Sequence, residues 1–220
     1  TSAGGTFADR VTFPNLPGTS SSGDTDTAFD ALGRLYWTNL QAQFLGDVAV
    51  AQINPTTGAP IGNTSNVTGQ ATDLFFSFED DKAFMLADDN PDSLFADRLY
   101  IVWTKFRGGC GSQVLFSRSE NQGVTWSPPI ELSDGDGPDN LCATADDEGF
   151  VWPADVAVGP DGDVFVAYHA QPGNRRPTSG AEGRTFVVRS DNGGVGFPLA
   201  NKTHAITAGE HITAIGGHPS

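Results

Sequence analysis

The stretch of the sequence best suited to hold a metal ion runs from residue 134 to residue 140. Asp134, Asp136 and Asp139 place carboxylates at close spacing in a loop that also contains glycine and proline. Such spacing of oxygen ligands is typical of the start of a calcium loop, although the distal glutamate of an EF-hand is absent. The alternative is a solvated acidic turn. Calcium is therefore a hypothesis, and a melting transition unchanged by a chelator would exclude a tightly bound ion.

A second candidate site combines His169 with the arginine pair Arg175 and Arg176. His169 ends a run of residues that is typical of a strand, and both arginines lie in the polar loop that follows it. Guanidinium groups bind carboxylates and phosphates through paired hydrogen bonds. These three side chains could therefore bind an anionic glycan. The competing interpretation is a surface loop with ordinary basic residues.

The two cysteines, Cys110 and Cys142, both lie in Gly- or Asp-rich loops. This placement is unlike that of inert buried thiols, and it favours a single disulfide formed in an oxidising compartment. Two free thiols are the alternative. A zinc site is not indicated, because no Cys-x-x-Cys pair or nearby histidine completes a ligand set.

Charge and composition narrow the classes of partner. The formal net charge is -15, and 27 acidic groups repel a nucleic-acid backbone. No stretch approaches 18 consecutive apolar residues, so we expect no membrane span. The chain begins at Thr1 and not at methionine, which indicates a mature or trimmed product. These features together predict a soluble, secreted or extracellular protein.

The elements that must position these residues are short alternating strands. Three units of similar length each open with an apolar strand, cross a turn or loop and continue with a second strand. Trp37, Trp103 and Tyr168 end these second strands at spacings of 66 and 65 residues. High glycine and proline contents, 27 and 14 residues, argue against long helices.

A polar turn recurs after two of the strands. Residues 119–126 and residues 190–197 match at an offset of 71, and Trp126 of the first copy is replaced by Phe197 in the second. A polar turn repeated after a strand at long period is typical of a stacked β architecture. The residues that define the turn are Ser119, Asn121, Gly123, Thr125 and Trp126 in the first copy, and Ser190, Asn192, Gly194 and Phe197 in the second.

Four short antiparallel strands per unit predict an all-β fold, a β-propeller. A β-sandwich is the alternative, but it would not need an internal repeat of about 65 residues. We divide the chain into an N-terminal loop or extended arm at 1–26 and three blade-like units at 27–72, 73–135 and 136–203. The start of a further blade is expected at 204–220.

The repeated turn resembles the Asp-box of bacterial neuraminidase repeats, Ser-x-Asp-x-Gly-x-Thr-Trp. The first copy matches at four positions and has Asn121 in place of the aspartate, and the second copy lacks both Thr and Trp. Residues 81–104 and 157–168 look like the linking strands of bacterial sialidase-like proteins. The resemblance covers most of residues 79–200 and implies a sialidase-type propeller with a six-bladed ring. In that family the Asp-box is a structural turn remote from the active site.

The resemblance does not extend to catalytic residues. Sialidase chemistry would need an arginine triad, a Tyr–Glu pair and an Asp acid/base, and the Arg-Ile-Pro motif that usually carries the first arginine is absent. Tyr36, Tyr100 and Tyr168 all occupy repeat positions, where core packing explains them. We therefore expect a secreted, non-catalytic binding or scaffold module, with a glycan as its ligand. The alternative is an exo-sialidase-like glycoside hydrolase with catalytic residues partly outside this segment.

Three units and a fragment do not close a ring. An open first or last blade would expose unpaired strand groups. We therefore expect the remainder of the propeller, or another chain, to complete the ring.

Overall fold

The computed structural model describes residues 11–42, 46–68, 79–106, 111–133, 150–171, 183–198 and 203–204. Within these ranges the chain forms three four-stranded antiparallel sheets. Sheet 1 contains β1 (Ser20–Phe29), β2 (Leu35–Ala42), β3 (Asp47–Ile53) and β4 (Pro60–Asn66). Sheet 2 contains β5 (Glu79–Ala87), β6 (Leu99–Phe106), β7 (Ser112–Ser119) and β8 (Ile130–Glu131). Sheet 3 contains β9 (Phe150–Val158), β10 (Val164–Gln171), β11 (Arg184–Ser190) and β12 (Thr203–His204).

Each sheet is a simple meander in which neighbouring strands are consecutive in the chain. The first strands of the sheets lie side by side, since β1 contacts β5 and β5 contacts β9. Sheets that converge on their first strands are the blades of a propeller. The predicted all-β, blade-based fold is therefore confirmed. In the described part of the chain we find no helix that is both long and apolar enough to span a membrane.

The strand register defines which positions of the three sheets are equivalent. The first residues of β2, β6 and β10 pair with the last residues of β1, β5 and β9. This register makes one set of aromatic positions equivalent: Tyr36, Tyr100 and Phe165. Trp103 is equivalent to Tyr168, but Trp37 is equivalent to Ile101. The spacing of Trp37 and Trp103 in the sequence therefore does not mark equivalent positions.

Two apolar clusters join the sheets face to face. The cluster between sheets 1 and 2 is built from alternate residues of the facing strands, including Tyr36, Val48, Val50, Leu99, Ile101 and Trp103. The cluster between sheets 2 and 3 includes Tyr100, Val102, Val114, Phe116, Val164, Val166 and Tyr168. Because side chains alternate along a strand, sheet 2 supplies odd-numbered positions of β6 to one cluster and even-numbered positions to the other.

Residues 11–19 cover the face of sheet 1 that points away from sheet 2. Phe13 is 4% exposed and packs edge-on against Trp37, with ring centroids 5.1 Å apart. Thr19 Oγ1 donates to Gln41 Oε1 at 2.7 Å and fixes the end of this segment. Residues 11–19 therefore cover the outer face of sheet 1 in the way that sheet 1 covers sheet 2 and sheet 2 covers sheet 3.

Strand β1 begins at Ser20, although the composition of residues 14–26 predicts a loop or extended arm. Most of its side chains are exposed, so its polar composition does not oppose a strand position. Gly23 absorbs two register shifts, and its carbonyl accepts from Asn39 Nδ2 at 3.0 Å. At the other end of the chain, His204 pairs with Phe186 in sheet 3. His204 therefore belongs to β12 of sheet 3 and does not open a further blade.

The first copy of the repeated turn follows β7 and is held by side-chain hydrogen bonds. Ser119 Oγ accepts from the backbone N of Gly123 at 2.9 Å and donates to Asn121 Oδ1 at 3.0 Å. Asn121 Oδ1 also accepts from the backbone N of Thr125 at 2.9 Å. Trp126 Nε1 then donates to Ser65 Oγ of β4 at 2.9 Å. The turn therefore fastens sheet 2 to sheet 1.

The second copy follows β11 and repeats this arrangement one sheet further on. Ser190 Oγ accepts from the backbone N of Gly194 at 3.1 Å, and Asn192 Oδ1 accepts from the backbone N of Gly196 at 3.0 Å. Phe197 packs edge-on against Phe116 of β7, with centroids 4.8 Å apart. The loss of the threonine and tryptophan has not removed the turn, because its backbone hydrogen bonds depend on the serine and asparagine.

We predict that Ser119→Ala lowers the free energy of unfolding by about 1–3 kcal/mol. The substitution leaves the buried backbone N–H of Gly123 without its acceptor, and an unsatisfied buried donor costs about that much. Chemical denaturation followed by tryptophan fluorescence measures the change. Val124→Ala, at an exposed position of the same turn, is the control and should alter stability by less than about 0.5 kcal/mol. Equal effects of the two substitutions would contradict the structural role of Ser119.

Candidate functional site

The sheets have two ends that differ in content. At the lower end, β1, β5 and β9 finish, and both copies of the repeated turn lie there. At the upper end, β1, β5 and β9 begin. Ligands reach a propeller at these two ends, because its loops lie there while its sheet faces pack into the core.

The lower end holds four arginines that are already engaged. Arg34 Nε lies 2.6 Å from Asp30 Oδ2, and Arg189 Nη2 lies 2.7 Å from Asp163 Oδ2. Arg98 and Arg118 both contact Glu120, at 3.2 and 3.1 Å. These two arginines also donate to the carbonyl oxygens of residues 193 and 194 in the second turn. Arg98 and Arg118 therefore connect sheet 2 with the turn that follows β11 of sheet 3.

The upper end contains a cluster formed by Asp24, Asp81 and Lys82. Lys82 Nζ lies 3.0 Å from Asp24 Oδ1, which joins β5 to β1 across the boundary between two sheets. Asp81 is the neighbour of Lys82 in β5, and the Asp24 and Asp81 carboxyl groups are close enough for each to shift the pKa of the other. The Asp24 and Lys82 side chains are 32% and 37% exposed. The cluster is thus partly accessible to solvent and rich in hydrogen-bonding groups.

Irregular backbone places these three side chains together. β1 has register shifts on both sides of Gly23, and β5 has one between Asp81 and Phe84. Asp24 and Lys82 have positive φ angles of 24° and 50°. Bulges bend a strand and redirect a side chain, and unusual backbone angles are concentrated at functional sites. The two bulged first strands therefore mark this cluster as the candidate functional site.

The two carboxyl groups titrate differently. Burial and the neighbouring Asp24 carboxylate raise the pKa of Asp81 above its ordinary value. Burial also raises the pKa of Asp24, but hydrogen bonds from Asp81 and Lys82 outweigh it and lower that pKa overall. The two shifts are opposite, as expected when one of two neighbouring carboxyl groups keeps its proton longer than the other. The cluster offers two carboxyl groups and an ammonium group.

Neighbouring polar contacts hold the first strands in place. Asp26 Oδ2 of β1 accepts from the backbone N of Met85 in β5 at 2.9 Å. Asp80 Oδ1 accepts from the indole N–H of Trp103 at 2.9 Å, where both side chains are buried. Thr104 pairs with Asp81 across the sheet and is fully buried, but its Oγ1 has no hydrogen-bond partner.

We predict that Thr104→Val raises the free energy of unfolding by about 1 kcal/mol, because it removes a buried hydroxyl that has no partner. Thr38→Val is the matched control, since Thr38 is equally buried but its Oγ1 donates to the carbonyl of Ala49 at 3.0 Å. That substitution should lower stability by about 1 kcal/mol. Urea denaturation of both variants tests the pair, and a destabilised Thr104→Val would show that the hydroxyl is satisfied.

The structure describes only part of the set of sites predicted from the sequence. His169 lies in β10 and faces away from sheet 2, since its neighbours Tyr168 and Ala170 belong to the cluster with sheet 2. Burial lowers the pKa of His169, and Gly183 lies so close that a Cβ there would be 2.3 Å from the ring. The other predicted residues lie outside the described ranges: Arg175, Arg176, Asp134, Asp136, Asp139, Cys110 and Cys142.

No group of three or more His, Cys, Asp or Glu side chains within the described ranges is arranged to hold a metal ion. The calcium hypothesis for residues 134–140 and the disulfide hypothesis stay predictions.

The sequence analysis did not single out Asp24, Asp81 or Lys82. Acidic residues shortly before the apolar part of each first strand, at Asp26, Asp81 and Asp155, were the signal that could have drawn attention to them.

Comparison with known proteins supports the fold class. No protein-family model and no curated protein sequence matches the chain. Among solved structures, the Hadza microbial sialidase Hz136 is 14% identical with a TM-score of 0.55, over 79% of this chain and 36% of that one. A protein of unknown function from Dyadobacter fermentans is 12% identical with a TM-score of 0.50, over 83% of this chain and 58% of that one.

An endo-1,4-β-xylanase from Bacteroides thetaiotaomicron is 13% identical with a TM-score of 0.48, over 84% of this chain and 58% of that one. The chain thus spans about a third of the sialidase and little more than half of the other two. At these identities the likeness concerns fold alone. The three blades and the likeness in fold together define an all-β segment of the β-propeller class.

Proposed function

We propose that the chain is part of a secreted β-propeller that binds carbohydrate at its upper end, beside Asp24, Asp81 and Lys82. The observation that carries this proposal is the contact of the Lys82 ammonium group with Asp24, beside the carboxyl group of Asp81, on partly exposed first strands. Sugar hydroxyls both donate and accept hydrogen bonds, and this cluster presents groups of both kinds. Rigid strands hold the groups in place, which lowers the cost of ordering them on binding.

The engagement of Asp24 favours binding over hydrolysis. In glycosidases one of two carboxyl groups acts as an acid and the other acts as a nucleophile or base, on either side of the glycosidic bond. The Asp24 carboxylate is instead held by Lys82, whose Nζ lies 3.0 Å away. A non-catalytic binding or scaffold module therefore agrees best with this pair.

A glycoside hydrolase is the second candidate, and one observation favours it. A carboxylic acid with a raised pKa beside an ionised partner is how glycosidases prepare a general acid, and Asp81 is placed in this way. The nucleophile or base would then have to come from another part of the protein. Release of the fluorophore from fluorogenic glycosides, lost in Asp81→Asn, would favour the hydrolase over the binding module.

Isothermal titration calorimetry with a panel of soluble oligosaccharides tests the binding proposal. We expect at least one oligosaccharide to bind the wild-type chain and to bind the double variant Asp24→Asn/Lys82→Met at least about tenfold more weakly. Asp163→Asn removes a carboxylate at the lower end and is the matched control, which should bind as the wild type does. Equal binding by all three proteins would place the ligand elsewhere.

We also propose that the exposed face of sheet 3 packs against a further blade from the remainder of the protein or from another chain. Phe165 on this face is equivalent to Tyr36 and Tyr100, which pack between sheets at the two existing interfaces. Phe165→Lys should therefore destabilise the completed propeller by more than it destabilises this chain alone. Equal sensitivity in both would contradict the packing.

A further inference from the structure

We infer that the carbohydrate bound at the upper end is uncharged, and that a sugar with a carboxylate, such as a sialoside, binds poorly there. The inference rests on the proposed function and specifies the class of ligand. It follows from how the cationic and acidic side chains are distributed between the two ends of the sheets.

The arginines of the described residues are concentrated at the lower end. Four of the five described arginines lie there: Arg34, Arg98, Arg118 and Arg189. Each contacts a carboxylate of the same chain. The fifth, Arg184, opens β11, two strands away from the first strand of its sheet. Recognition of a carboxylate depends on guanidinium groups that can form paired hydrogen bonds with it. The described first strands contribute none.

The first strands instead carry an excess of acidic residues at the upper end. Asp24, Asp80 and Asp81 lie toward this end of the first strands, and Asp26 and Asp155 lie nearer the middle. Lys82 is the cation among the described first-strand residues, and Asp24 already contacts its ammonium group at 3.0 Å. A ligand carboxylate placed here would lose hydration and gain no free cation in return. It would also be repelled by the neighbouring carboxylates.

The remaining hydrogen-bonding capacity of this end suits hydroxyl groups. Asp24 and Lys82 form an ion pair at 3.0 Å, so the ammonium group is already matched by a carboxylate. Both side chains are partly exposed, and their remaining hydrogen-bonding positions can donate to and accept from hydroxyl groups. Neutral sugars can therefore exchange hydrogen bonds with the cluster without leaving an ionic group unpaired.

Matched pairs of oligosaccharides with and without a terminal sialic acid, such as 3′-sialyllactose and lactose, test the inference by calorimetry. In every pair that binds, we expect the neutral member to bind at least about tenfold more tightly at low salt. Higher ionic strength should narrow this difference, because salt screens repulsion between partly exposed charges.

Tighter binding of the sialylated members would overturn the inference, and its loss in Arg175→Ala/Arg176→Ala would assign recognition to those arginines. If no neutral or sialylated member of the panel binds, the proposed function fails and the inference fails with it. The two failures are distinguishable. Failure of the inference alone requires measurable binding of a sialylated member, whereas failure of the proposed function means that no member binds.

Discussion

Replacing Trp103 by alanine should lower the free energy of unfolding by about 3–5 kcal/mol, the cost typical of truncating a large buried aromatic side chain. Trp103 is fully buried between sheets 1 and 2, where it packs with Leu99 and Ile101. Its indole N–H donates to Asp80 Oδ1 at 2.9 Å, so truncation also leaves a buried carboxylate without that donor. Urea denaturation monitored by circular dichroism measures the loss.

Two further variants separate the contributions to this loss. Trp103→Phe keeps most of the apolar contact and removes the hydrogen bond to Asp80, so it should cost less than the alanine substitution. Trp152→Ala is the matched control, because Trp152 of β9 is 36% exposed and should cost about 1 kcal/mol or less. Similar losses for Trp103→Ala and Trp152→Ala would contradict the packing of sheet 1 on sheet 2.

Asp81→Asn should weaken carbohydrate binding at least about tenfold and yet stabilise the chain at neutral pH. The raised pKa of Asp81 means that the fold favours its protonated form. The stability that this provides is present below the ordinary aspartate pKa and is lost as pH rises through the folded value. Ionisation of Asp81 beside Asp24 therefore costs the fold stability as pH rises, and an asparagine, which cannot ionise, removes this cost.

Melting temperatures between pH 3 and pH 7 test the sign of this effect. The difference between Asp81→Asn and the wild type should grow in favour of the variant as pH rises. Asp24 behaves in the opposite sense, because its lowered pKa gives stability that is present above the ordinary value and lost as pH falls through the folded one. A difference that shrinks with rising pH would contradict the raised pKa of Asp81. Asp163→Asn, at the lower end, is the control for the effect of removing a carboxylate on the pH profile.

The central strands were the part of the fold most accessible from the sequence. β6 is buried on both faces over most of its length, and β2, β6 and β10 are all rich in β-branched, aromatic and other apolar residues, so composition predicts them. The repeated turn was equally visible, because its hydrogen bonds depend on particular residue types at fixed offsets, Ser119 and Asn121 in the first copy.

The edge strands were less accessible for a physical reason. β1 and β4 are largely exposed, and an exposed edge strand places little constraint on residue type. The polar composition from Ser20 to Asp26 therefore predicts a loop, although the backbone of this stretch pairs with β2. The spacing of Trp37 and Trp103 predicts equivalent positions wrongly, because loops of unequal length change the distance in sequence between equivalent residues without changing the strand pattern.

The candidate site could not be derived from local sequence. Asp24 is 57 residues from Asp81, and the two meet only because β1 and β5 lie side by side and each carries a bulge. A bulge leaves no consistent mark in sequence beyond a glycine such as Gly23. The sequence analysis instead favoured loop residues such as His169, whose residue types carry the more familiar chemistry.

Ligand binding where β1 and β5 begin is tested most directly by hydrogen–deuterium exchange with mass spectrometry. The chain is compared alone and saturated with the oligosaccharide that binds best in the panel. We predict slower exchange in peptides that cover residues 20–26 and 79–85, with little change around the lower-end turns at 30–34 and 119–126. Protection confined to those turns, with β1 and β5 unchanged, would contradict the account.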